Sequence, residues 1–423
     1  MEHPVLASTP PKESHPELSA SPQHDLLNDV RISPESSHLP FLDHLRGVAI
    51  LMVFIFHGLG ISFGYDQLKW DGWWRSFDAP SSFLALLPVT FGWIGVPIFF
   101  VVSGFCIHLS HQRSADSRIS IFYLKRFFRI YPPYLVALLV FSFLPPWSYI
   151  PFNSRECVTQ FLSHLFMVHN YGEHTFYGIN STFWSVAVES HLYLIYPLLL
   201  AIVHRAGWKT ALAISITTEV GLRGFAAVQF AFSENHAPYW MIGAPVFYWF
   251  SWSVGAAAAD AWIKGRPLPF ERIPLGLFPL LMVLTAFFKP LAMFSFVFAS
   301  LATVSIIRFL LDRTKHSGGH HERWWMRHLG FAGTVSYSIY LLHFPVIALV
   351  PKIVGKLLPS HGGDPLLLMA VCLTCWFPVL AGSWVFYQTV EKPSIAFGKR
   401  MLRRWFPKPL PTTGSMAGAG VVD

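Results

Sequence analysis

The sequence predicts an all-α, polytopic transmembrane helical bundle of about ten helices, with both termini cytoplasmic. Three observations carry this reading. The 423 residues are 53% hydrophobic and only 13% charged, with a mean hydropathy of +0.44. A soluble domain usually carries about a quarter charged residues, so lipid must be the solvent for this much apolar surface. Apolar stretches of bilayer-spanning length recur along most of the chain. Lys and Arg then gather in alternate connections, as cytoplasmic loops require.

The candidate spans are 42–61, 84–109, 128–146, 181–203, 210–232, 238–261, 273–288, 290–311, 331–350 and 366–389. The seventh is short, and Lys289-Pro290 turns it into the eighth. With the N-terminal segment placed in the cytoplasm, the inner connections hold Arg113, Lys125, Arg126, Arg129, Arg205, Lys209, Lys264 and Arg266, among others. Lys69, Arg75, Arg155, Lys289, Lys352 and Lys356 fall outside. The expected domains are a disordered cytoplasmic tail over 1–40, rich in Pro, Ser and His, a transmembrane domain over 41–395, and a basic, then flexible, cytoplasmic tail over 396–423. No cleavable signal peptide is expected, because the first apolar stretch lacks a small-residue cleavage site behind it.

The net charge of +8 reads as positive-inside loops. No basic run interleaved with aromatics outside the membrane points to nucleic acid, so none is expected as a partner. Cys106, Cys157, Cys372 and Cys375 imply no disulfide framework, and Cys372-x-x-Cys375 inside a span reads as apolar packing rather than a redox pair. Gly60-Ile61-Ser62-Phe63-Gly64 fits G-x-S-x-G, but a nucleophile elbow needs a strand-turn-helix and this stretch follows a membrane helix. The loop holding His316, His320, His321 and His328 matches no standard zinc spacing, and no metal is expected.

Ionisable residues within spans are informative because each costs at least ~2.5–3.5 kcal/mol at a helix centre. Arg46 and His57 stand eleven residues apart, close to three turns, and so share one face of the first span. His57 falls in the outer half of the membrane and reads either as a general base or as a hydrogen-bonded core histidine. Glu189 lies near mid-span with Tyr193 one turn on, and needs a partner; Arg46 and Arg223 are candidates. His343 also lies within a span, two residues before a helix-disturbing Pro345. Arg126 and Arg129 form R-x-x-R at the cytoplasmic boundary, a pairing that suits either a phosphate-bearing ligand or anionic lipid.

In order, these pieces resemble the acyltransferase-3 family of membrane-bound O-acyltransferases. The resemblance rests on Leu42-Asp43 through Arg46 to His57, Phe99 to Phe105 around Ser103, Arg126-x-x-Arg129 with Tyr131-Pro132, Trp184-Ser185 to Glu189, Tyr193 and Pro197, Ser336-Tyr337 to His343, and Glu391-Lys392-Pro393. It covers roughly residues 41–395. His44 departs from it, since the family typically has a small residue there. The extra soluble hydrolase-like domain of some members is not seen.

The resemblance implies an acyl-CoA co-substrate, with acetyl-CoA the simplest, and no permanently bound cofactor. It implies a hydroxyl-bearing acceptor on a glycan, lipid or small metabolite, reached inside the membrane or from the far side. It links Arg46, His57, Arg126 and Arg129 to activity. The expected mechanism has Arg126 and Arg129 holding donor phosphates, with Ser103 and Tyr337 beside them. His57 acts as general base, Glu189 orients or charge-balances a histidine, and His343 or Tyr337 lines the same cavity. A transporter or flippase with a buried His/Glu/Arg relay is the competing class, and a non-catalytic membrane receptor is a third.

Overall fold

The computed structural model describes residues 39–65, 87–147 except 115 and 117, 154–230, 237–287, 289–316 and 323–406. The expected tail at 1–40 lies outside these, apart from Leu39 and Pro40. His320 and His321 also lie outside them.

Helices carry the described residues, and none of these residues forms a strand. Among the described residues, seven helices are long and apolar enough to cross a membrane, and the chain is a multi-pass integral membrane protein. In chain order they begin with α1 (Pro40–Phe63). A 3-10 segment, Leu87–Ile94, feeds α2 (Gly95–Gln112), and α3 (Ile119–Phe143) follows. A short amphipathic α4 (Arg155–Leu165) is capped by Ser154, whose hydroxyl accepts from the Cys157 N–H. Then come α5 (Phe183–Phe230), the single turn α6 (Tyr239–Ile242) and α7 (Trp249–Ile263). Next are α8 (Leu277–Phe287), α9 (Ser295–His316), α10 (Trp324–Thr334) and α11 (Ser336–Ile347). The last four are α12 (Val350–Leu357), α13 (Pro365–Thr374), α14 (Trp376–Phe386) and α15 (Lys392–Trp405).

Several boundaries differ from expectation for physical reasons. α5 runs 48 residues, about 72 Å at 1.5 Å per residue, more than twice a hydrocarbon core of roughly 30 Å. Gly207, at φ 79°, breaks it between Arg205 and Lys209, so one helix serves two expected spans. α3 begins at Ile119, nine residues before the expected span. The charges of Lys125, Arg126 and Arg129 argue against a membrane helix there, but the structure turns both arginines onto a cavity. They therefore sit well inside α3, not at its start. The basic α15 carries helix into the expected C-terminal tail.

Prolines inside helices are answered by neighbours. A helical Pro leaves the carbonyl four residues earlier without its N–H. Pro132 frees the Phe128 carbonyl, which accepts from Ser394 Oγ at 2.5 Å. Pro345 frees the Leu341 carbonyl, which accepts from Asn180 Nδ2 at 2.9 Å. The first contact ties α15 to α3. The second ties the segment before α5 to α11.

α1 packs against α2, α10, α11 and α13 and so reaches most of the bundle. α2 and α7 approach at backbone distance because each supplies a glycine. A Cβ on Gly104 would stand 2.0 Å from the Trp252 carbonyl oxygen, and one on Gly255 2.0 Å from that of Val101. That contact sets Ser103 on α2 beside α5 and α7.

Candidate active site

Two cavities open on opposite stretches of α1. The first, about 250 Å³, is bounded by α1, α2, α3, α5 and α11. Arg46, Arg126 and Arg129 face it together with Glu189, Ser103 and Tyr337. Six expected site residues thus meet in one chamber. Arg46 donates to Asp43 Oδ1 at 2.7 Å and to Cys106 Sγ at 3.0 Å. Arg126 contributes a buried Nε that has no hydrogen-bond partner. Glu189 Oε1 accepts from Ser103 Oγ at 2.6 Å and from Tyr193 OH at 2.5 Å, and Trp252 Nε1 donates to Ser103 at 3.3 Å.

The second cavity, about 290 Å³, holds His57. Its wall is mostly aromatic: Phe56, Trp93, Tyr177, Trp184 and Phe344 line it. Tyr65 OH lies 2.9 Å from His57 Nδ1 and 3.4 Å from the His57 carbonyl oxygen. When the hydroxyl donates to that carbonyl, Nδ1 carries the imidazole proton and Nε2 is left as the basic nitrogen.

Val96 and Tyr340 line both cavities. Tyr340 OH hydrogen-bonds Ser185 Oγ, which itself faces the arginine chamber. The two chambers therefore adjoin across this pair. Arg46 and His57 share α1, as the eleven-residue spacing predicts, yet each serves a different chamber about 16 Å apart along the axis.

Three expectations need correcting. His343 lines neither cavity. It is fully buried behind His57, ring centroids 5.4 Å apart, with Nδ1–H donating to the Ile339 and Tyr340 carbonyls at 3.0 Å each. Tyr337 lies in the arginine chamber beside Arg126 and Arg129, so its other expected place, lining the His57 cavity, does not hold; its hydroxyl donates to the Ile130 carbonyl at 2.8 Å. Glu189 is held by Ser103 and Tyr193, two hydroxyl donors, and not by a histidine. Nor does it pair with Arg223, which meets Glu219 at 3.4 Å in a separate, fully buried site. There Ser251 donates to Glu219, and the Arg223 guanidinium lies over the rings of Phe247 and Phe296.

Sequence reasoning missed Cys106, noted only as one of four cysteines without a disulfide framework, along with Tyr65, Tyr340 and Ser185. A signal for Cys106 was present: Ser103, Cys106 and Ser110 recur at three- and four-residue steps, a small polar stripe on one face of α2. The mid-span cost of ionisable groups also points to His108 and Asp260. These pair at 3.2 Å, with Lys264 on Asp260 at 2.7 Å, and line neither cavity.

Residues 39–388 match the acyltransferase domain of the acyltransferase-3 family. The chain belongs to this family. It is similar to the peptidoglycan O-acetyltransferase OatA of Listeria monocytogenes, 24% identical over 347 residues, covering 76% of this chain and 51% of that protein. It is also similar to the acyltransferase MdmB of Streptomyces mycarofaciens, 32% identical over 218 residues, 48% of this chain and 51% of that one. The putative peptidoglycan O-acetyltransferase YrhL of Bacillus subtilis is 24% identical over 405 residues, 87% of this chain and 56% of that one. The chain spans about half the length of these relatives. No solved structure matches it. Among family members, then, this chain sets its arginines and its first-helix histidine in two adjoining chambers.

Proposed function

We propose that the chain is a membrane O-acyltransferase that moves an acyl group, acetyl in the simplest case, from acyl-CoA to a hydroxyl. The observation that carries this is the pair of adjoining chambers, one lined by guanidiniums and the other holding a histidine base. Arg126 and Arg129 bind the phosphates of the donor at the cytoplasmic face, where paired guanidiniums are matched to phosphate oxygens. Arg46 adds charge nearer the chamber's centre, and the Arg126 Nε gains the acceptor it lacks. An extended pantetheine arm covers the ~16 Å from Arg46 to His57 and carries the thioester past Val96 and Tyr340.

In the second chamber His57 Nε2 takes the proton of the acceptor hydroxyl as its oxygen attacks the thioester carbonyl. The C–O bond forms, the C–S bond breaks, and the proton passes from imidazolium to the departing CoA thiolate. No acyl-enzyme is required. His343 is a positioning residue: its buried ring backs His57 and keeps it turned to the chamber.

The test is transfer of label from radiolabelled acetyl-CoA by purified protein given a mixed extract of candidate acceptors. Wild type releases CoA and labels an acceptor, whereas His57→Ala loses about 10²–10⁴-fold in turnover while still binding donor. Undiminished turnover in folded His57→Ala overturns the role of His57. A ligand moved unchanged across a vesicle, with no CoA released, establishes the transporter instead.

A further inference from the structure

The His57 chamber differs from a carbohydrate-binding site in what its walls offer. Among the described residues, no Asp, Glu, Lys or Arg lines it. Aromatic and aliphatic faces from Val53, Phe56, Trp93, Trp184 and Phe344 make up most of the wall. Three of its four hydroxyls, those of Ser181, Tyr340 and Tyr65, are already engaged within the protein. Ser181 Oγ donates to the Tyr177 carbonyl at 3.2 Å, Tyr340 OH is joined to Ser185, and Tyr65 OH to His57. Polar groups left for a ligand are few: the His57–Tyr65 end, and the Trp93 indole N–H, a buried donor with no partner, which suits the oxygen of a single hydroxyl. Further hydroxyls would lose water without gaining partners, and a buried donor or acceptor left unpaired is penalised. Among the described residues of its lining, a phosphate or carboxylate would meet no counter-charge. At about 290 Å³ the chamber is at the small end of ligand pockets.

We propose that the acceptor is a compact, uncharged alcohol whose body is hydrocarbon, such as a mono- or bicyclic terpenoid-like alcohol, and not a glycan strand or an anionic lipid headgroup. This rests on the reading of His57 as the acceptor's base. The ring faces hold the hydrocarbon body, and the single hydroxyl points to the imidazole. Apolar ligands of this kind concentrate in the bilayer, which delivers them to a site between helices.

The experiment uses full-length protein in lipid nanodiscs and a cyclohexanol carrying a photoactivatable diazirine. Crosslinked peptides are mapped by mass spectrometry, with borneol and chitotriose as competitors, and acetyl transfer from labelled acetyl-CoA to each alcohol is measured in parallel. The expected result is saturable crosslinking to Phe56, Trp184 or Phe344, displaced by borneol but not by chitotriose. Ser181→Phe, which fills the chamber, lowers it at least tenfold, and wild type converts borneol to its acetate. Crosslinking that does not saturate, or that chitotriose displaces, overturns the proposal. So does acetylation of chitotriose in place of borneol, although the acyltransferase reading then stands. Saturable, borneol-displaced crosslinking without any acetyl transfer has the reverse meaning: the ligand class holds and the acyltransferase reading fails.

Discussion

The two chambers share α1 and a common wall at Val96 and Tyr340, yet they follow opposite electrostatic rules. The first gathers three arginines and a glutamate, and the buried Arg126 Nε lacks a partner. The second presents rings and one imidazole. The difference shows how one helix can serve two ligands of unlike chemistry. In the proposed mechanism, residues one to two turns into α1 meet a polyanion arriving from water, and residues three turns further meet a ligand arriving from lipid. The buried pair Glu219–Arg223 sharpens the contrast. Its guanidinium is saturated by a carboxylate, the Phe247 carbonyl and aromatic faces, so it holds the fold and offers nothing to a ligand.

The strongest way to break this division is to remove charge from the first chamber alone. Arg126→Ala with Arg129→Ala raises the donor KM by about 10²–10⁴-fold, at 1.5–3 kcal/mol per charge-assisted contact, and leaves the acceptor KM within about twofold. Steady-state kinetics varying each substrate reads both. An equal rise in the acceptor KM would dissolve the distinction.

Acid tests the second chamber's outer support. His164 and His169 are buried and stacked with ring centroids 3.9 Å apart, beside the segment that carries Tyr177 and Ser181. Burial pushes the His164 imidazole down to about 4, and burial next to His164 pushes His169 well below its ordinary value. Both folded-state values are depressed, so the neutral form belongs to the fold. The unfolded chain takes up protons first, near 6.5. Stability is whole above that pH and falls as pH drops from about 6.5 toward 4, by about 3 kcal/mol from His164 alone. Thermal melts across this range show the loss, and His164→Phe flattens the slope. A melt independent of pH would contradict it.

The smallest effect expected is at the joint between that segment and α11. Asn180→Ala strands the Leu341 carbonyl freed by Pro345 and lowers stability by about 1–3 kcal/mol. The effect is read as a lower melting temperature with the donor KM unchanged.

Much of the fold was legible because hydropathy along a chain is local: most expected spans correspond to helix within a few residues, but α3 begins nine residues early and the 331–350 span straddles the break between α10 and α11. At α3 the charges of Lys125, Arg126 and Arg129 weighed against a span, whereas the two arginines face a cavity that only neighbouring helices create. The site was legible residue by residue but not as an arrangement. Arg46, Arg126, Arg129 and Glu189 were chosen for type and position, Ser103 and Tyr337 through the family resemblance, and all six meet. The partners of Glu189 depend on the close approach of α2 to α7, which two glycines permit and no single-helix pattern displays. His343 was chosen by the same cost argument as His57, but the rotation of α11 turns its ring behind His57. Tyr340 stood in a quoted stretch without drawing notice, since bridging two cavities is a property of the assembled bundle.

The central claim is that donor and base occupy separate chambers, and equilibrium binding of a non-transferable acetyl-CoA analogue tests it most directly. Titration calorimetry would compare wild type, Arg126→Ala and His57→Ala in the same nanodiscs. The account predicts that Arg126→Ala weakens binding at least tenfold while His57→Ala matches wild type within about twofold. Equal weakening by both, or none by Arg126→Ala, would contradict it.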